Sequence, residues 1–297
     1  MKIIITGISG FVGQNLSVFL EENGNIVHGL SLRNENWNFN RNADVVIHLA
    51  GKAHDTANTS SEEEYFNVNT DLTKKLFDQF LNSEVQDFIY FSSVKATADS
   101  IDGALDESHI SNPKTPYGKS KLEAEKYLLS QKLPANKRLF IIRPCMIHGP
   151  GNKGNLNLLY NVVEKGIPWV LASFENKRSF LSIDNLNFVV LKIISDKSIL
   201  SGIYNFADDV ALSTNELVKI IANVSGKNEK LWKVNTYLIS SIAKIGDLLK
   251  LPLNTERLKK LTESYVVSNS KILKALEIQS LPVSSKEGLA KTIKSFQ

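Results

Sequence analysis

What most constrains this chain lies at its start, where a β-branched run, Lys2 to Thr6, is followed at once by Gly7-Ile8-Ser9-Gly10-Phe11-Val12-Gly13 and then by an amphipathic stretch. The run reads as a strand buried on both faces. Val12 to Glu22 places Val12, Leu16, Phe19 and Leu20 on one helical stripe, and Asn23-Gly24 stops it. Glycines in a strand-to-helix turn suit a phosphate. Gly7 makes the turn, Gly10 admits a pyrophosphate to the helix N-terminus, and Gly13 lets helix and strand pack closely. Gly7, Gly10, Phe11, Val12 and Gly13 are therefore candidate dinucleotide contacts, although the spacing is GxxGxxG and a glycine triplet alone is a weak signal.

The same alternation continues. Strands are predicted at Ile26 to Leu30, Val45 to Leu49, Phe88 to Ser92 and Leu139 to Arg143, with helices at Glu63 to Leu81 and Pro116 to Leu129 between them. Apolar strands separated by helical lengths imply a doubly wound α/β fold, a parallel Rossmann sheet covered on both faces. After His148-Gly-Pro-Gly151 the pattern changes to helices, such as Asn157 to Lys165 and Asn215 to Val224, with short strand candidates. Gly202 to Ala207 reads as a strand returning to the main sheet. The expected organisation is a dinucleotide-binding domain of residues 1–150 plus about 179–207, and a smaller discontinuous substrate domain of 151–178 and 208–297.

Composition narrows the function. Thirty-five Lys and Arg against 31 Asp and Glu leave a charge of +4, with the basic residues scattered, so nucleic acid is not an expected partner. The single cysteine, Cys145, forbids an internal disulfide and suits a reducing compartment; it reads as a packed small residue. Five His at no ligand-like spacing argue against a metal site. No run of about 18 apolar residues suggests a membrane span, and a soluble cytoplasmic protein is expected. The stretch Leu238 to Leu251, amphipathic with lysines at 244 and 250, reads as a packed helix of the second domain.

The end of the second strand discriminates between dinucleotides, because an acidic residue there would bond the adenosine ribose and a basic one would accept a 2′-phosphate. His28-Gly-Leu-Ser-Leu-Arg33-Asn34 has no acid, and Arg33 can pair with phosphate. NADP is expected, with NAD as the alternative if Ser31 or Asn34 meets the ribose. Tyr117 and Lys121, four apart after Pro116, share a helical face, and a cation one turn away would lower the tyrosine pKa. Ser92-Ser93 ends a strand, where ligands bind in open α/β sheets.

With the glycine loop, the strand-end serines and Tyr-x-x-x-Lys in this order, the chain resembles the short-chain dehydrogenase/reductase superfamily, in its extended branch that works on nucleotide sugars. His48-Leu49-Ala50-Gly51 is similar to the family's HLAA strand end under the cofactor, Asn67-Val68 to its NV motif, and Phe91-Ser92-Ser93 to its FSS segment, in which the second serine acts. Arg143-Pro144 with His148-Gly-Pro-Gly151 resembles its RPxxxYGPG, with His148 in place of tyrosine. The resemblance implies cofactor contacts from Leu49, Ala50, Gly51, Asn67, Pro144, Tyr117 and Lys121. It implies substrate contacts from Ser93, Tyr117, Asn155 and Arg178, the last two on the diphosphate. Ser93, Tyr117 and Lys121 are the implied catalytic trio. A homodimer, through two helices of the main domain, is implied as well.

Two departures stand out. Only about ten residues, Arg33 to Ala43, separate the second strand from Asp44, where the family usually has a helix and a third strand, so the adenine-clasping loop is expected to be reduced. Val94-Lys95 stands where nucleotide-sugar dehydratases carry Asp-Glu, which disfavours dehydration. The leading expectation is reduction of a 4-keto sugar on a nucleotide, with uridine the resemblance's usual nucleobase. A UDP-hexose 4-epimerase is the alternative, and a nucleotide-binding scaffold without activity is the third.

Overall fold

The computed structural model describes residues 1–33, 37, 42–52, 61–152, 154–249 and 254–297. The first half alternates strand and helix: β1 (Lys2–Thr6), α1 (Phe11–Glu22), β2 (Ile26–Leu30), β3 (Val45–His48), α2 (Glu62–Phe66), a π turn (Asn67–Asp71), α3 (Leu72–Leu81), β4 (Asp87–Phe91), the short β5 (Ala104–Leu105), α4 (Pro116–Ser130) and β6 (Arg138–Pro144). The second half continues with β7 (Met146–His148), α5 (Asn155–Glu164), β8 (Phe180–Ser182), α6 (Ile183–Ser195), β9 (Gly202–Phe206), α7 (Thr214–Val224), α8 (Thr236–Leu249), α9 (Thr255–Thr262), β10 (Val266–Val267), α10 (Ser270–Ala275) and α11 (Ser285–Lys294).

Six strands form one parallel sheet in the order β2-β1-β3-β4-β6-β9. This is the expected doubly wound class, and β9 returns to the sheet beside β6. Side chains alternate across the sheet with period two. Ile3, Ile5, Val45, Ile47, Ile89, Phe91, Phe140 and Ile142 face one core with Leu16 and Leu20 of α1 and the apolar face of α6. Ile4, Val46, Phe88, Tyr90, Leu139 and Ile141 face the other, with Leu76, Phe77 and Phe80 of α3 and Ala124 and Leu128 of α4. A strand sandwiched in this way must be apolar on both faces, which explains the unbroken runs in the sequence. Each fully buried Ile or Phe contributes about 1.5–3 kcal/mol.

Among the described residues β2 is one edge of this sheet and β9 the other. A third core joins α5, α7 and α11 through Leu156, Tyr160, Val218, Ile221, Leu289 and Ile293. A small fourth one gathers Leu171, Ile239, Ala243 and Leu258 where α8 meets α9.

The helix expected over Glu63 to Leu81 is present, but its middle turn is wound wide as the π turn at Asn67–Asp71. Such a turn shifts the side chains that follow it and is often found at functional sites.

Candidate active site

The order of strand addition reverses at β1, with β2 on one side and β3 on the other, and this switch point opens a crevice at the carboxyl ends of the strands. A cleft of about 1590 Å³ lies there, lined by Gly7, Gly10, Arg33, Leu49, Ala50, Gly51 and Asn67 among others. Gly7 takes φ of 71°, and a Cβ on it would stand 2.7 Å from the Ala50 backbone nitrogen. A Cβ on Gly13 would lie 2.4 Å from the Gly7 carbonyl oxygen, so α1 sits against the loop at a distance only glycine permits. Gly10 is the N-cap of α1 and provides no side-chain cap, leaving the helix's first amides for a ligand in the cleft. These residues fit a dinucleotide pyrophosphate.

Arg33 lines the cleft with Ser31, Leu32 and Trp37. Leu32 and Trp37 belong to the apolar cluster beneath. Asn34 lies outside the described residues. Phe11 and Val12 turn partly into the core, with the Phe11 ring near Gly149.

Beneath the cleft runs a buried polar relay that sequence reasoning missed. The Thr73 hydroxyl donates to the Asn69 carbonyl at 2.8 Å, so its oxygen is left to accept from His48 Nε2, also at 2.8 Å. His48 Nδ1 then accepts from Thr6 Oγ1 at 2.7 Å, and Thr6 Oγ1 accepts from the Ala50 amide at 3.1 Å. Burial first, and then the nearby Lys121 charge, lower the His48 pKa to about 3, so the imidazole is neutral throughout the ordinary pH range.

Asn69 itself, fully buried in the π turn, accepts from the Lys52 amide at 2.7 Å. It donates to the Lys52 carbonyl at 3.1 Å and to Ser120 Oγ at 3.0 Å. It thereby ties the Leu49-Ala50-Gly51 turn to α4. The available signal was a second amide on the buried side of an amphipathic helix, in Asn67-Val-Asn69-Thr. Asn67 lines the cleft from the start of the π turn.

Tyr117 is the second residue of α4, whose N-cap Thr115 accepts from the Gly118 amide and whose first residue is Pro116. Ser93 ends the β4 loop, accepts from the Lys95 amide at 3.2 Å, and is hydrogen-bonded to the Tyr117 side chain. The Tyr65 ring meets Tyr117 edge-on at 6.2 Å. Burial raises the Tyr117 pKa, and its hydrogen bond with Ser93 opposes the rise. This corrects the expectation that Lys121 lowers it. The Lys121 amine donates to the Phe91 carbonyl at 2.9 Å, lies 4.9 Å from the centre of the Tyr90 ring, and would be 3.2 Å from a Cβ on Gly51. It reaches towards Gly51 at the cleft, and burial is the largest cause of the shift at the phenol.

Burial also lowers the Lys121 pKa to about 8, against the pull of Glu125. A base depressed in this way is destabilising while cationic, and stability is recovered as pH rises from about 8 towards its unfolded value of about 10.4. Lys121→Met should therefore raise the melting temperature of the cofactor-free protein at pH 7 by about 2–4 °C per kcal/mol of relieved burial. The gain should shrink above pH 9. A thermal melt series across pH tests this, and a variant that melts lower at pH 7 would contradict it.

A buried ion pair backs the site. Arg143 Nε donates to Glu125 Oε1 at 3.0 Å, its Nη2 donates to Oε2, and the Ser92 hydroxyl donates to Oε1. Ser92 thus faces inward to Glu125 and Ser93 faces Tyr117, although the two are adjacent in sequence. Pro144, next along β6, is buried and pairs with Phe206.

Arg178 donates through Nε to the Glu263 carbonyl at 3.0 Å and through Nη2 to the Lys260 carbonyl, at the C-terminal end of α9. Burial lowers its pKa against the pull of Glu263. Lys95 donates to the Asp99 carbonyl at 2.7 Å, stands 4.2 Å over the Tyr265 ring, and feels the Arg178 charge. The position that would hold a dehydratase's acid is occupied by this cation. Asn155 opens α5 and its side chain lies outside the described residues. His148 is buried, with Nδ1 bonded to Thr292 Oγ1 at 2.9 Å, and so packs under α11. Burial raises the Cys145 thiol well above its usual range, as befits a packed residue.

A parallel sheet with a glycine loop at its switch point, an uncapped helix terminus and a tyrosine-lysine helix facing the same crevice defines a dinucleotide-binding enzyme of the Rossmann class. The model of the NAD dependent epimerase/dehydratase family matches residues 3–207, and the chain belongs to that family. Its relatives include epimerases, dehydratases and reductases, and solved neighbours hold NAD or NADPH.

A UDP-glucose 4-epimerase from Vibrio cholerae is 32% identical over 250 residues, 74% of this chain and 75% of that one. An N-acetyl-alpha-D-glucosaminyl-diphospho-ditrans,octacis-undecaprenol 4-epimerase from Escherichia coli O157:H7 is 31% identical over 180 residues, 59% of this chain and 53% of its own. The solved structure of MoeE5 in complex with UDP-glucuronic acid and NAD superposes with a TM-score of 0.77 at 20% identity, covering 99% of this chain and 98% of the other. Among the described residues, no helix is long and apolar enough to cross a membrane.

Proposed function

We propose that the protein performs NAD(P)(H)-dependent redox chemistry at carbon 4 of a nucleotide-linked hexose, with UDP the carrier, and that its main direction is reduction of a 4-keto sugar. The observation that carries this is the hydrogen bond between Ser93 and Tyr117, with Lys121 of the same helix beside Gly51, in the lining of a cleft that also includes Arg33. Gly7, Gly10, Phe11, Val12, Gly13, Arg33, Leu49, Ala50, Gly51, Asn67, Tyr117, Lys121 and Pro144 would hold the cofactor. Bound there, it would supply the hydride for carbon 4.

Tyr117 would give its proton to the ketone oxygen, and Ser93 would hydrogen-bond the same oxygen. A phenol kept neutral by burial begins in the protonated form that this direction needs. Lys121 would hold the nicotinamide ribose. Asn155 and Arg178 would anchor the diphosphate, and that remote contact would orient the sugar. Residues 1–150 with about 179–207 would form the cofactor domain, and 151–178 with 208–297 the substrate domain, in a homodimer formed through α4.

A second reading, 4-epimerisation by the same trio, is favoured by the likeness to the Vibrio cholerae UDP-glucose 4-epimerase. One assay separates the two. Purified protein is offered a UDP-4-keto hexose with NADPH, and in parallel UDP-glucose without added cofactor. Net NADPH consumption supports reduction. Interconversion of UDP-glucose and UDP-galactose on retained NAD supports epimerisation, and no reaction with either overturns the proposed chemistry.

Arg33 carries its own prediction. Arg33→Ala should weaken NADPH binding by about tenfold, the worth of one charge-assisted contact, and leave NADH binding unchanged. Calorimetric titration checks this, and equal loss for both cofactors would remove Arg33 from the 2′-phosphate.

A further inference from the structure

The helix α8 does not have the surface of a packed helix. Ile239, Ala243 and Gly246 form a narrow inner stripe against Leu171 and Leu258. On the other side Tyr237, Leu238, Ile242, Ile245, Leu248 and Leu249 are all exposed, Tyr237 and Leu248 by 83%. At 3.6 residues per turn these six fall within an arc of roughly 140° directed away from the inner stripe. Trp232 before the helix and Leu261 on α9 are exposed as well. Scattered exposed apolar residues need no explanation, but six on one arc, broken only by the small exposed Ser241, mark an interaction site.

Charge decides what covers it. The segment from residue 230 to 260 carries seven Lys and Arg against two acidic residues. Lys244 borders the apolar arc. Asp247, the carboxylate within α8, is turned to the start of α9, where it accepts from the Thr255 amide at 3.1 Å. A second copy of this chain would bring the same cationic segment against itself. An anionic lipid surface would meet both the apolar arc and its basic border. The helix has 14 residues, about 21 Å, which is too short to cross a bilayer and suits lying in its plane.

We propose that the outer face of α8, with Lys244 at its border, docks the protein on a bilayer surface bearing anionic headgroups. The occupant is the lipid surface itself; Tyr237 and Trp232 would sit at headgroup depth and the Leu and Ile side chains just below.

The test is co-sedimentation of the full chain with vesicles of phosphatidylcholine alone and of phosphatidylcholine with one-quarter phosphatidylglycerol. Binding is expected to the anionic vesicles and to weaken with salt, each engaged lysine being worth about fivefold in partition. The variant Leu238→Gln/Ile245→Gln/Leu248→Gln changes exposed positions. It should lose about tenfold or more of the partition, with melting temperature and NADPH binding unchanged. Leu248→Gln alone, at the most exposed site, should show a smaller loss in the same direction.

Wild-type protein that ignores anionic vesicles overturns the proposal, as does a triple variant that binds them equally well. Analytical ultracentrifugation showing a wild-type dimer that the triple variant abolishes, without vesicle binding, would assign the face to a second copy and overturn it as well.

Discussion

Replacing Tyr117 by phenylalanine is expected to lower turnover by about 10²- to 10⁴-fold while leaving NADPH affinity within about twofold of wild type. The size follows from the role. Without the hydroxyl, a ketone oxygen becoming an alkoxide has no positioned proton, and Ser93 alone offers a weaker hydrogen bond. The ring itself remains, packed edge-on against Tyr65, so the fold and the cleft should be unaffected. Steady-state kinetics together with calorimetry read the two quantities separately. A variant that kept its rate would remove Tyr117 from the chemistry, and one that lost cofactor binding in proportion would make its role structural. The pH dependence adds a sign. Because burial raises the Tyr117 pKa, proton donation should persist to higher pH than the usual phenol range would allow, and fall only when the phenol ionises.

The largest expected effect on stability is at Arg143. Arg143→Met should destabilise the fold by about 3–5 kcal/mol at pH 7, because it takes both guanidinium hydrogen bonds from the carboxylate of Glu125, 1% exposed, and leaves it the Ser92 hydroxyl and the more distant charge of Lys121. Arg143 itself is 3% exposed, so water cannot take over. The double variant Arg143→Met/Glu125→Leu should recover most of the loss, because removing both charges also removes the desolvation problem. Denaturant unfolding of the three proteins measures the coupling. Equal losses in the single and double variants would show that packing, and not the buried charge, is what matters there.

The sequence alone was enough for the strand-loop-helix start, the alternating parallel sheet and the i, i+4 placement of Tyr117 and Lys121. These are local. A β-branched run, a glycine with no allowed Cβ and a helical period are each set by neighbours a few residues away. The shortened connection after β2 was equally legible from chain length, and β2 is one of the two sheet edges among the described residues.

What remained hidden depends on residues far apart in the chain. Asn69 acts through Lys52 and Ser120, 17 and 51 residues away, and His48 through Thr6 and Thr73, 42 and 25 away. No periodicity announces such partners. The direction of the Tyr117 shift was misjudged because i, i+4 spacing brings a cation near in sequence, while the fold aims that cation at the Phe91 carbonyl and buries the phenol. The helix at 236–249 was legible as amphipathic, but an apolar stripe does not say whether a neighbour covers it, and the fold covers only the narrow side. The sequence by itself determined which elements form and which residue types face the crevice, because backbone sterics and side-chain period act locally. Only the tertiary structure decided protonation, polar partners and exposure, because these depend on how much water the rest of the chain removes from each group.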